Sequence, residues 1–114
     1  MSEVLAVANV FMSGQLAGQL TRCKTTYTFQ YDKDYISNKG IPLSYSLPLQ
    51  HQTFSNDALF PYFTGLLSEG WLLDLQSKTQ HIDKNDAFTL LVKNGHDLAG
   101  AITIELSNLP EKIR

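Results

Sequence analysis

Residues 54–75 read Phe54-Ser-Asn-Asp-Ala-Leu-Phe-Pro-Tyr-Phe-Thr-Gly-Leu-Leu-Ser-Glu-Gly-Trp-Leu-Leu-Asp-Leu75. Here an alternating pattern gives way to a helical one, and that change decides the fold class. Leu59, Tyr62, Phe63, Leu66 and Leu67 recur at spacings of three and four, which gives a helix one apolar face. Pro61 fits only a first helical turn, so the helix is expected from about Asp57. Gly65 and Gly70 bracket a tight Leu66-Leu67-Ser68-Glu69 corner, and Trp71, the chain's only tryptophan, follows it. A large aromatic beside a glycine corner is either the plug of a small core or a knob presented to a partner.

Upstream of this stretch the period is that of strands. Val4 to Met12 is apolar on both parities, as in a strand buried on both faces. Ser13-Gly14 reads as a hairpin turn. The return strand runs from Gln15 to Thr21 with Leu16, Gly18 and Leu20 inward. Thr26 to Tyr31 alternates, with Tyr27, Phe29 and Tyr31 on one face. Asp32 to Pro42 is polar and turns at Asn38-Lys39-Gly40. Leu43, Tyr45 and Leu47 alternate with Ser44 and Ser46, which predicts a fourth strand ended by Pro48.

Downstream, a second short helix is expected from Trp71 to Thr79, with Ser68 as a cap. A third, capped by Asp83 or Asn85, buries Ala87, Phe88, Leu91 and Val92 and stops at Asn94-Gly95. A last strand, Ala99 to Leu106, puts Ile102, Ile104 and Leu106 on one face. The expectation is an α+β fold: a curved antiparallel sheet, or a partly open small barrel, of about five strands with about three short helices. One domain is expected over 1–114, with 1–3 and 107–114 frayed.

Composition narrows the function. With 43% hydrophobic and 18% charged residues the chain is an ordinary globular one. The formal net charge of -2 and the singly scattered lysines argue against a nucleic-acid interface, which shows a basic stripe. A lone cysteine, Cys23, allows no internal disulfide and fits a reducing compartment. The N-terminus lacks a basic signal region, and no apolar run approaches a membrane span, so a cytoplasmic location is expected.

Motifs of catalysis are absent. His51, His81 and His96 are spaced too widely for a familiar metal site. His96-Asp97 with Ser44, Ser46 or Ser68 lacks a nucleophile elbow. No glycine-rich phosphate loop occurs, nor a kinase catalytic loop. The residues alone point to a binding or structural module with no cofactor and no enzymatic activity.

Six stretches carry a resemblance. Ser13-Gly-Gln-Leu-Ala-Gly-Gln-Leu20, Phe29-Gln-Tyr-Asp-Lys-Asp-Tyr35 and Pro42-Leu-Ser-Tyr-Ser-Leu-Pro-Leu49 come first. Phe63-Thr-Gly-Leu-Leu-Ser-Glu-Gly70, Asp86-Ala-Phe-Thr-Leu-Leu91 and Gly95-His-Asp-Leu-Ala-Gly-Ala101 follow in register. Together they resemble the N-terminal subdomain of HipA-type toxin kinases. Ser68 stands where that family usually has proline, and Leu98 where cysteine is common. Because the chain stops where the kinase domain would begin, it resembles the small stand-alone HipS type of protein found in tripartite HipBST toxin–antitoxin systems. That resemblance implies an antitoxin that neutralises a separate HipT-like Ser/Thr kinase, with a HipB-like helix-turn-helix protein joining through the kinase. It further implies that Ser68, Glu69, Gly70 and Trp71 form the inhibitory element; Leu66, Leu67 and Leu72 around it are read as an apolar rim of the partner-binding site. A scaffold or activating subunit of the kinase is the alternative.

Overall fold

The structure is a computed structural model and describes residues 4–67, 76–83, 85–96, 98 and 101–107. The first two strands, β1 (Val4–Met12) and β2 (Gln15–Cys23), form an antiparallel hairpin closed at Ser13-Gly14. Both turn residues have positive φ, 51° and 82°. Such a turn matches the right-handed twist of the flanking strands, which is why the chain can reverse in two residues.

Strand β3 (Tyr27–Tyr31) pairs with β2, and a three-residue strand, β4 (Phe54–Asn56), pairs with β3. Strand β5 (Ile102–Leu106) returns to pair with β1. The order is β4-β3-β2-β1-β5, antiparallel throughout. The two edges do not meet, so of the two expected architectures the open sheet is the one adopted.

Four short helices complete the fold among the described residues: α1 (Lys33–Ser37), α2 (Pro61–Thr64), α3 (76–80) and α4 (Ala87–Lys93). Pro61 opens α2, as its fixed φ and missing N–H require. Asp86 caps α4 by accepting from the Thr89 N–H at 3.3 Å. That is one residue beyond Asn85, because Asp83 instead accepts from the Asn85 N–H and shapes the preceding turn. The helix stops at Asn94-Gly95 as expected. A Cβ on Gly95 would lie 1.8 Å from the Ile104 carbonyl oxygen, so only glycine lets α4 dock this closely on β5.

The core lies between the sheet and α2 and α4. Ala8, Val10, Ala17, Leu20, Phe29, Phe63, Leu91 and Ile104 are its fully enclosed members. Phe29 is central, with ring centroids 4.9 Å from Tyr31, 5.6 Å from Phe63 and 6.5 Å from Phe54. The first is edge-on, the second tilted and the third stacked, and such contacts add to what the rings gain by burial. Gly18 makes room for them, since a Cβ there would stand 2.8 Å from Phe29 Cζ.

Several expectations are corrected. Strand β1 is enclosed on one face only: Ala8 and Val10 are buried, whereas Val4 and Leu5 at its free end are exposed. In β2 the inward set is Ala17, Gly18 and Leu20, with Leu16 only half-buried. A β-bulge between the Val10↔Gly18 and Phe11↔Leu16 pairs inserts Ala17 and breaks the alternation. Asp32 to Ser37 is not a plain polar turn, because Asp32 caps α1 by accepting from the Asp34 N–H. Leu43 to Leu47 is not a strand. It is a tight turn with one bridge, Ser44↔Leu47, and the fourth strand is Phe54–Asn56. In β5, Ile102 and Ile104 are buried, but Leu106 is exposed at the sheet edge.

Of the helix expected from Trp71 to Thr79, residues 71–75 lie outside the described residues, and 76–80 are helical. Ser107 donates its N–H to the Val7 carbonyl at 2.7 Å. Residues 1–3 and 108–114, expected to fray, lie outside the described residues.

Candidate functional site

The corner that the sequence marks out begins at the end of α2. Phe60, at the N-cap, and Phe63 are buried, and Phe63 packs on Phe29 of the sheet, which fixes α2 to it. Beyond Thr64 the chain tightens: the Leu66 N–H donates to the Phe63 carbonyl and the Leu67 N–H to that of Thr64. Leu66 and Leu67 are half-buried and pack against the core. These two expected rim residues thus belong partly to the core edge. Ser68, Glu69, Gly70, Trp71 and Leu72 lie outside the described residues. The chain enters that stretch from a fixed base.

Beside α2 sits a second feature, the connection 41–48. Its base is held by two stacked tyrosines, Tyr31 and Tyr35, with ring planes 1° apart and centroids at 6.0 Å. The Tyr31 hydroxyl accepts from the Leu43 N–H at 2.9 Å and donates to the Leu47 carbonyl. The Tyr35 hydroxyl donates to the Ile41 carbonyl at 2.5 Å. Leu43 and Leu47 are buried, and between them Tyr45 projects with no cover at all, at 106% relative exposure. Pro42, Ser44, Tyr45 and Pro48 line a shallow cavity of about 350 Å3.

Burial raises the pKa of Tyr31, partly offset by its hydrogen bond to Leu43; Tyr35 and Tyr62 add smaller upward effects. Burial also raises Tyr35, against its hydrogen bond to Ile41. Tyr62, on α2, is raised by burial and then by Tyr35. The link from this turn to α2 runs through rings: Tyr31 packs on Phe29, and Phe29 on Phe63 of α2.

A wider groove of about 600 Å3 lies at the other end of the core, between α4 and the β1–β5 edge. Phe88, Val92, Ile104 and Leu106 line it, with Arg22 and Lys93 beside them. Arg22 pairs with Asp86 at 3.3 Å and sits 5.8 Å from the Phe88 ring centre.

Among the described residues, chemistry-bearing groups do not converge. Among the described residues no three His, Cys, Asp or Glu are placed to hold a metal ion. His96, more than two-thirds exposed, faces Glu105 at 3.5 Å, and Asp97 lies outside the described residues. The Ser44 and Ser46 hydroxyls bond to each other at 2.8 Å rather than to an imidazole. No described helix is long and apolar enough to cross a membrane.

Comparison with known proteins bears on this arrangement. The family model described as the HipA N-terminal domain matches residues 8–105. The chain belongs to the HipA N-terminal domain family. It is 38% identical over 105 residues to an uncharacterized protein of Haemophilus influenzae, covering 92% of this chain and 96% of that one. It is 32% identical to the putative kinase Y4mE of Sinorhizobium fredii, spanning 92% of this chain but only 24% of the kinase. Among solved structures it is similar to the N-terminal domain of HipA toxin, with TM-score 0.74 and 34% identity, covering 96% of this chain and all of that one. It also matches a chain of the Shewanella oneidensis HipA, HipB and operator DNA complex, with TM-score 0.67 and 27% identity, covering 91% of this chain and 25% of that one. The domain therefore occurs both as nearly the whole of a small protein and as about a quarter of a long one.

Sequence reasoning found the α2 corner but missed the 41–48 turn as a surface feature. The missed signal is charge: no Asp, Glu, Lys or Arg occurs between Lys39 and Asp57, although such residues make up 18% of the chain.

Proposed function

We propose that the chain is the antitoxin-type component of a toxin–antitoxin system and that it binds and inhibits a separate HipT-like Ser/Thr kinase. It acts as one domain over 1–114. Ser68, Glu69, Gly70 and Trp71 enter the kinase cleft, with Leu66, Leu67 and Leu72 around them. A HipB-like helix-turn-helix protein joins through the kinase. The observation that carries the reading is the match to the HipA N-terminal domain over residues 8–105, shared with a Haemophilus protein that is little more than this domain.

The physical logic is that of an inhibitor without chemistry of its own. Phosphoryl transfer depends on tight positioning of nucleotide, metal and acceptor. A rigid aromatic seated in the cleft prevents that positioning, and Trp supplies large contact area with few rotors to freeze. The fixed end of α2 provides the base such an element needs.

The putative kinase Y4mE, of which this domain matches 24%, favours a second reading. A domain carried within a kinase chain is compatible with activity, so the protein can be a scaffold or activating subunit. The test is phosphate transfer by a HipT-like kinase from the same organism, alone, with this protein, and with its Trp71→Ala variant. Inhibition that Trp71→Ala relieves is the expected result. Inhibition that survives the substitution moves the site elsewhere. No effect, or stimulation, overturns the antitoxin reading in favour of the scaffold.

A further inference from the structure

The 41–48 turn is built as a display. A surface loop ordinarily gains conformational freedom toward its tip. Here Leu43 and Leu47, on either side of the tip, are buried, and two tyrosine hydroxyls hold the backbone at Ile41, Leu43 and Leu47. At the tip of this fixed frame stands Tyr45, wholly exposed, with Ile41 also largely exposed and Pro42 and Pro48 beside it. Fold stability does not account for an uncovered aromatic ring, which buries nothing where it stands.

Three properties point to a protein partner. The run from Gly40 to Asn56 is free of Asp, Glu, Lys and Arg, and depletion of charge marks the centre of protein interfaces. Tyrosine and proline on a fixed frame lose little conformational entropy on binding, and tyrosine is enriched among interface hot spots. Ring contacts from Tyr31 through Phe29 to Phe63 connect the base of the turn to α2, which leads toward the proposed inhibitory corner.

We infer that Tyr45, framed by Ile41, Pro42 and Pro48, is a second anchor that docks on an uncharged, apolar surface of the kinase partner. This inference rests on the proposed kinase binding. It assigns to the 41–48 turn the affinity, and leaves to the Trp71 corner the inhibition.

Titration calorimetry of the HipT-like kinase with four forms of the protein tests it: wild type, Tyr45→Ala, Tyr45→Lys and Lys93→Glu. Tyr45→Ala is expected to weaken binding at least tenfold, and Tyr45→Lys, which puts a charge into an apolar contact, further still. Lys93→Glu, on α4 beside the groove at the other end of the core, is expected to stay within twofold. Because Tyr45 contacts no cover, both Tyr45 variants keep the wild-type thermal midpoint. Equal affinity of Tyr45→Ala and wild type overturns the anchor while kinase binding stands, and so does an equal loss in Lys93→Glu. If the wild type does not bind, both readings fall.

Discussion

Two halves of this molecule are held together by different means. Strands β1, β2, β3 and β5 are joined by backbone ladders in continuous register, interrupted by two bulges in the β1–β2 pair. The connection from Asp32 to Leu67 contains only one three-residue strand and two helices of five and four residues. Its order comes from side chains: the Phe29 cluster, the stacked tyrosines and the hydroxyl bonds to Ile41, Leu43 and Leu47. Ladder bonds are made by every residue type except proline, so their loss is diffuse. Side-chain latches concentrate the same work in a few atoms, so single substitutions are expected to separate the two halves.

The largest effect is expected at the junction. Phe29→Ala removes the ring that both halves share and should cost about 3–5 kcal/mol, read as a fall in the denaturant midpoint. Tyr31→Phe keeps the ring but removes the hydroxyl, leaving the Leu43 N–H and the Leu47 carbonyl without that partner. A loss of about 1–3 kcal/mol is expected. Hydrogen exchange should show amides 43–47 losing protection while the β1–β2 amides keep theirs. Equal loss across both regions would erase the distinction. Asp86→Ala removes the α4 cap and its partner for Arg22, with an expected cost of about 1 kcal/mol in thermal denaturation. Tyr45→Ala should change stability by less than about 0.5 kcal/mol, because the ring covers nothing.

Titration sharpens the same contrast. The Tyr31 phenol must be neutral to donate to Leu47, and burial raises its pKa above the ordinary value of 10.0. A raised folded-state pKa contributes stability that is fully present below the unfolded value and is lost as the pH rises through the folded one. Alkaline melts followed by tyrosinate absorbance should therefore show the 41–48 turn loosening above about pH 10, ahead of the ladder strands.

The ladder half was legible in the sequence, and the latched half largely was not. Alternation over Tyr27, Phe29 and Tyr31 and the Ser13-Gly14 turn specify local geometry directly, and both expectations hold. Asn94-Gly95 marks the end of α4 because the close approach to Ile104 is a local demand for glycine. Leu43, Tyr45 and Leu47 mislead, since a strand and a turn closed by one side-chain hydroxyl give the same i, i+2, i+4 pattern. What separates them is Tyr31, twelve residues away from Leu43. Strand β4 was hidden for a similar reason: three residues give too little period to read, and their pairing with β3 is set by tertiary contact. At the candidate site, the sequence located the exit from α2, and Leu66 and Leu67 are its described members. The spacing left Trp71 open between core and partner, a choice that depends on packing.

The pairing of Leu106 with Ala8 ties the last described strand to the first. During synthesis, β1 to β4 leave the ribosome well before β5 exists. Until β5 arrives, the β1 edge offers unsatisfied backbone groups, with Val10 beside them, to any neighbouring nascent chain. Arrival of β5 is thus expected to be the step that closes the open β1 edge, so truncation before Ile102 should leave a chain more prone to association.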